Sequence, residues 1–119
     1  MIDITPSITS ALAEATHLPV QYELFLDSST ILPAITYQLY NTYDVATGDT
    51  ISYSMIQYMI KLWGNDITSM TAIKQTIDIT MKEKNFKLIN YGELAHDDEL
   101  CMLMIYEGIA EEAITQEEN

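Results

Sequence analysis

The sequence predicts an α+β fold: a mainly antiparallel sheet with a long β-hairpin and one or two packed helices, in the order α-β-β-α-β-β. Two long segments alternate apolar and polar residues with the period of a strand, and a short glycine-containing turn separates them. A later segment changes to the helical period, and two strand-like segments follow it. A chain of 119 residues, 48% of them hydrophobic, suffices for one continuous core. We therefore expect residues 1–110 to form a single domain and residues 111–119 an acidic tail.

The first predicted element is a helix near residues 6–16, because Thr5 and Pro6 suit an N-cap and a first-turn proline. Its apolar residues fall on one helical face: Ile8, Ala11, Leu12 and Ala15. Pro19 ends the helix. Residues 20–26 could then form a short strand before a polar turn.

The long hairpin is predicted from residues 34–45 and 51–63, with a turn at 46–50 that contains Gly48. In the first strand, five residues share one parity: Ile35, Tyr37, Leu39, Tyr43 and Val45. In the second, Ile56, Tyr58, Ile60 and Leu62 alternate with Met55, Gln57, Met59 and Lys61. Both patterns have the period of a strand with one apolar face.

An amphipathic helix is predicted near residues 68–84, with Asn85 as its C-cap and its lysines in or near the last turn, where the helix dipole favours them. Its apolar positions are Met70, Ile73, Ile77 and Met81. Strands at 86–91 and 100–107 are expected to follow, joined by an exposed connection at 93–99. The last strand is apolar on both parities, which predicts a central strand covered on both faces.

The charge is strongly negative, since 18 acidic residues face five lysines and no arginine, for a net charge of −13. This balance argues against nucleic-acid binding through a basic patch. All lysines lie between Lys61 and Lys87, whereas nine acids and no lysine or arginine lie between Glu93 and Glu118. The polarised surface suits packing against a neighbour or lining a passage, although acids that only maintain solubility explain it equally well.

Neither a membrane span nor a secretion signal is expected. The longest apolar run, Leu100–Tyr106, is far shorter than the about eighteen residues that cross a bilayer, and an acid, Asp3, stands where a signal peptide carries a base. Cys101 is the only cysteine, so the chain has no internal disulfide. It sits among apolar neighbours, which predicts a small buried hydrophobe and a reducing, cytosolic origin.

No motif for catalysis, a metal or a cofactor emerges, and an enzyme is not expected. One cysteine and the distant His17 and His96 cannot build a zinc site. His96 lies beside Asp97, Asp98 and Glu99, which could hold a cation loosely, but their order matches no calcium loop and favours a solvated turn. The four glycines are far apart, and neither the serines nor the cysteine lies in a nucleophile motif.

Tyrosine is abundant on the predicted hairpin, at positions 37, 40, 43, 53 and 58. Tyrosine suits protein interfaces, although strands are enriched in it for other reasons. A twelve-residue strand spans about 40 Å and a helix of about sixteen residues only about 24 Å, so the hairpin should project beyond the helix unless it curls back on its own core. The interface residues predicted on this overhang are Tyr40, Tyr43, Val45, Ile51 and Tyr53.

Over roughly residues 6–108 the chain resembles the tail-terminator, or tail-completion, proteins of long-tailed bacteriophages, which join tail to head. The resemblance rests on the following segments: the helix Ser7 to Ala15, the run Leu32-Pro33-Ala34-Ile35-Thr36-Tyr37, the strand Tyr53 to Trp63, the helix ending at Lys84-Asn85-Phe86, and the final strand through Tyr106. Members commonly carry glycine where Asn85 stands, a mild departure. The lack of arginine is a larger one, because partner contacts that use arginine elsewhere have no counterpart here.

This resemblance implies a structural virion protein, assembled in the host cytoplasm as a hexameric ring that terminates the tail tube. The implied partners are other copies of the chain, the tail-tube protein and the head-connector protein, with no membrane and no direct nucleic-acid binding. An acidic lumen would let DNA pass without adhering. A second hypothesis is a small acidic inhibitor that mimics nucleic acid and occupies the basic groove of a host defence protein, to which the negative charge is suited.

Overall fold

The computed structural model describes residues 5–22, 32–47, 50–96 and 99–109. Its elements are α1 Thr5–Thr16, β1 Val20–Tyr22, β2 Ala34–Thr47, β3 Thr50–Gly64, α2 Ile67–Glu83, β4 Lys87–His96 and β5 Glu99–Ile109. The strands form one sheet in the order β1-β2-β3-β5-β4, in which β1 runs parallel to β2 and the other neighbours are antiparallel. The predicted α+β class is confirmed. The predicted tail at 111–119 lies outside the described residues.

Both helices pack on one side of the sheet, which we call the helix face. Its core combines residues from α1, α2, β2, β3 and β5, including Ile8, Leu12, Ile77, Met81, Ile35, Tyr37, Ile60, Leu62, Met104 and Tyr106. The predicted alternation in β3 is confirmed, because Ile56, Tyr58, Ile60 and Leu62 are all buried. The opposite side, the open face, carries the other parity of β3 and β5.

The shared parity predicted along β2 is wrong beyond Leu39. Leu39 pairs with Tyr58, but Asn41 pairs with Gln57, so Tyr40 forms a β-bulge. One extra residue reverses the side to which every later residue points. Tyr43 and Val45 therefore lie on the face opposite to Ile35 and Tyr37.

The sheet is longer on the β4 side than predicted. An exposed connection was expected at 93–99, but β4 continues to His96, with Glu93 paired to Met102 and Leu94 to Cys101. Backbone pairing with β5 holds Glu93 and Leu94 in the sheet although their side chains are exposed. The predicted interior position of β5 is confirmed, since it lies between β3 and β4 and both parities include buried residues, such as Cys101 and Met104. The predicted cover on both faces is wrong for the described residues, because both helices pack on the helix face.

The ends of α2 follow their local sequence. The Asp66 carboxylate caps the first turn by accepting from the Thr68 amide at 3.3 Å and the Ser69 hydroxyl at 2.6 Å. The C-cap is Lys84 and not Asn85 as predicted. Asn85 is the next residue, in the left-handed region with φ 66°, which asparagine tolerates better than most side chains.

Candidate functional site

The candidate site is the outer half of the β2–β3 hairpin, which we call the hairpin tip: residues 38–47 of β2 and 50–54 of β3. The pairing of β3 with β5 begins only at Met55, so among the described strands residues 50–54 have β2 as their sole neighbour. Burial along β2 ends at Tyr37, and residues 39–44 are exposed. The hairpin therefore extends beyond the part of the sheet that the helices and β5 cover.

The predicted interface residues divide into three groups. Tyr40, at the bulge, is 50% exposed, and Tyr43 is also exposed. Val45 is partly buried and pairs with Tyr53 across the hairpin. Ile51 and Tyr53 have backbone partners, but their side chains lie outside the described part of the structure.

Tyr43 also has a role inside the subunit. Its hydroxyl donates a hydrogen bond to Glu107 on β5, and Nε2 of Gln57 donates to the same carboxylate oxygen at 3.1 Å. These bonds, chiefly the one from Tyr43, lower the pKa of Glu107, with a smaller contribution from the charge of Lys87. Three strands are thereby joined on the open face at the base of the hairpin tip.

A cavity of about 150 Å³ lies at the other end of the sheet, where α2 begins. Its lining residues are Ile67, Glu93, Leu94, Ala95, Leu100, Cys101 and Met102. Met102 belongs to the core of the helix face, and Leu100, two residues before it on β5, points to the same side. Glu93 pairs with Met102 and shares this side, so the cavity lies on the helix face. Apart from Glu93 its side chains are apolar or weakly polar, and Leu94 at its border is 60% exposed.

The likenesses to known proteins are found among solved structures, and the one described here is distant. No protein-family model and no curated protein matches the chain. One solved structure, titled "Virion of native gene transfer agent (GTA) particle", contains a chain with 9% sequence identity and a TM-score of 0.44 over 82% of each chain. We draw no functional conclusion from a likeness at this level.

The lysines mostly contact their own subunit. The Lys82 ammonium pairs with Asp78 at 2.8 Å, Lys84 donates to the Ser7 hydroxyl at 3.0 Å, and Lys74 lies 4.3 Å from the centre of the Tyr91 ring. A cation over an aromatic face is attracted to it. These three lysines are therefore engaged separately along α2 and its end, and they do not form a shared patch for phosphate.

The described ranges contain no candidate metal site and no helix suited to a membrane. Within residues 5–22, 32–47, 50–96 and 99–109, no three His, Cys, Asp or Glu side chains are placed to hold a metal ion. Asp97 and Asp98, from the predicted weak cation cluster, lie outside these ranges. Neither described helix is long and apolar enough to cross a bilayer.

Sequence reasoning missed the cavity. Its residues come from the start of α2 and from two strands that meet only through the pairing of β4 with β5. The one local signal was a pair of apolar residues, Ile67 at the start of α2 and Leu94 near the end of β4, which are both exposed in the fold. Scattered exposed apolar residues are common, so this signal alone predicts nothing.

Proposed function

We propose that the protein is a structural subunit of a phage tail that self-associates into a closed ring, terminates the tail tube and joins it to the head connector. The observation that carries the proposal is the hairpin tip, which leaves Leu39, Tyr40 and Tyr43 between 40% and 50% exposed beyond the core. Neighbouring exposed aromatic and aliphatic side chains are typical of surfaces that a partner buries.

The unpaired sheet edges support association. Among the described strands β4 pairs only with β5, and β1 pairs with β2 only through Tyr37. The outer edges of β4 and of residues 38–47 therefore offer backbone donors and acceptors to another chain. Such edges pair readily with other strands, and closure into a ring would leave no edge exposed.

The sequence resemblance supplies the biological setting of the proposal. Its carrying segments correspond to α1, β2, β3, α2 and β5, in the order found in the fold. The expected partners are the tail-tube protein and the head-connector protein, and the expected location is the virion, after assembly in the host cytoplasm. The −13 charge suits a passage through which DNA moves without binding.

A shortened hairpin tests the proposal. Replacing residues 44–54 with an Asn-Gly turn, in combination with Tyr40→Ser, removes the outer part of the hairpin and the exposed ring at the bulge, and it joins Tyr43 directly to its partner Met55. We expect the variant to remain folded, with a cooperative melt by circular dichroism, and to lose assembly by light scattering and negative-stain microscopy. Normal assembly of the shortened protein would exclude this part of the hairpin as the interface, and loss of folding would assign it to the core.

A further inference from the structure

The cavity at the start of α2 has the size and polarity of a site for one aromatic ring. Its volume of about 150 Å³ is that of a benzene-sized molecule, and the exposed Ile67 and Leu94 leave it open to solvent on one side. Ile67, Leu100 and Met102 provide apolar walls, and the cavity opens beside β4, an edge strand among those described. A side chain from another molecule can thus approach it along the outer edge of β4, which has no partner among the described strands.

The one carboxylate of the lining, Glu93, adds a polar requirement. One of its oxygens, Oε1, accepts a hydrogen bond from the Tyr91 hydroxyl at 2.7 Å. A carboxylate accepts several hydrogen bonds, so Glu93 retains capacity for a further donor. A ring that carries a hydroxyl group fits this combination of apolar walls and acceptor better than an aliphatic side chain does.

The same chain carries an exposed tyrosine at the end of the sheet opposite to the cavity. Tyr40 is the bulged residue of β2, half exposed, near the level of Gln57 on β3. The cavity lies near Gly64, which pairs with Leu100. Seven residues of strand separate the two levels by about 23 Å, so Tyr40 cannot reach the cavity of its own subunit.

We propose that Tyr40 of one subunit occupies the cavity of the next, with its ring against Ile67 and Met102 and its hydroxyl donating to Glu93. This contact rests on the proposed self-association and specifies its geometry. It is heterologous, because two different surfaces meet, and repetition of a heterologous contact produces a closed ring when the rotation closes. A second copy is favoured as the occupant because the chain itself carries an exposed tyrosine, Tyr40, at the end of the sheet opposite to the cavity.

Disulfide trapping tests the contact directly. The test uses a Cys101→Ala background, which removes the native thiol. Asn41→Cys places a thiol beside Tyr40 and keeps the Tyr40 side chain, and Ala95→Cys places a second thiol at the border of the cavity. Within one subunit these positions are separated by most of the sheet, far beyond the roughly 7 Å between Cα atoms that a disulfide spans. We expect oxidation to give a ladder of covalent oligomers on a non-reducing gel. Asn41→Cys with Ile79→Cys, an exposed position further along α2, is the matched control and should give no ladder.

Two substitutions separate the contribution of the aromatic ring of Tyr40 from that of its hydroxyl group. Tyr40→Ser should raise the protein concentration at which half of the subunits are assembled by about tenfold or more. Tyr40→Phe keeps the aromatic side chain and should raise this concentration less. Rings that assemble normally without the Asn41–Ala95 cross-link would overturn this contact and leave the proposed function intact. A protein that stays monomeric at every concentration would overturn both.

Discussion

The hydroxyl of Tyr106, in the interior strand β5, donates a hydrogen bond to Oδ1 of Asp78 on α2 at 3.0 Å. Tyr106 is fully buried, and the other oxygen of Asp78 pairs with Lys82 at 2.8 Å. The sheet and the helix are thus joined through a carboxylate at the boundary of the core. Burial, together with the charge of Asp78, raises the pKa of Tyr106, so the phenol stays protonated as a donor.

This link predicts a loss of stability in acid. The hydrogen bond from Lys82, followed by that from Tyr106, lowers the pKa of Asp78 below its ordinary value of 3.8. A lowered folded-state pKa stabilises the fold above the unfolded pKa, and this contribution disappears as the pH falls through the folded pKa. We expect Asp78→Asn to lower the free energy of unfolding by about 1 kcal/mol at pH 7 and to flatten its decline below about pH 4. Urea denaturation at pH 7 and pH 3 measures both effects, and a parallel decline in the two proteins would contradict the assignment.

Gly108 and Gly92, which both lie in strands, allow a matched comparison of how tightly the chain is packed around them. A Cβ at Gly108 would lie 2.7 Å from two carbons of the Phe86 ring, which is buried and meets Tyr58 edge-on, whereas a Cβ at Gly92 has no atom within 4 Å. We expect Gly108→Ala to destabilise the subunit by about 1–3 kcal/mol through overpacking. Gly92→Ala should leave the urea midpoint almost unchanged. Equal effects at the two positions would mean that the Phe86 ring moves aside without cost.

The charge distribution predicts no useful affinity for DNA. Acids exceed lysines by thirteen, and the contacts of Lys74, Lys82 and Lys84 keep them with their own subunit. Phosphate binding depends on clustered bases and is strongest at low salt. A titration of double-stranded DNA at low ionic strength should therefore give no saturable signal. Micromolar binding would reveal a local basic patch and would contradict the idea of a passage that DNA does not adhere to.

The parts of the fold that the sequence predicted are those set by local periodicity. The alternation of Ile60 and Leu62 in β3 and the helical spacing of Ile77 and Met81 in α2 each reflect one buried face. The bulge at Tyr40 was not predictable, because an extra residue in β2 is defined by its partner in β3 and leaves no mark in the local pattern.

The candidate site was only partly predictable for the same reason. The position of Tyr40 and Tyr43 on an overhang followed from comparing strand and helix lengths. The bond from Tyr43 to Glu107 and the cavity beside Ile67 bring together residues that are distant in sequence. They depend on which strands are neighbours in the sheet, and periodicity carries no information about that choice.

The mass of the intact protein in solution, measured by native mass spectrometry and light scattering over a wide concentration range, tests the central claim most directly. Self-association into a closed ring predicts one discrete oligomer that gains no further subunits as the concentration rises. A strict monomer at the highest concentration, with no assembly on purified tail tubes, would contradict the ring and favour the alternative of an acidic inhibitor.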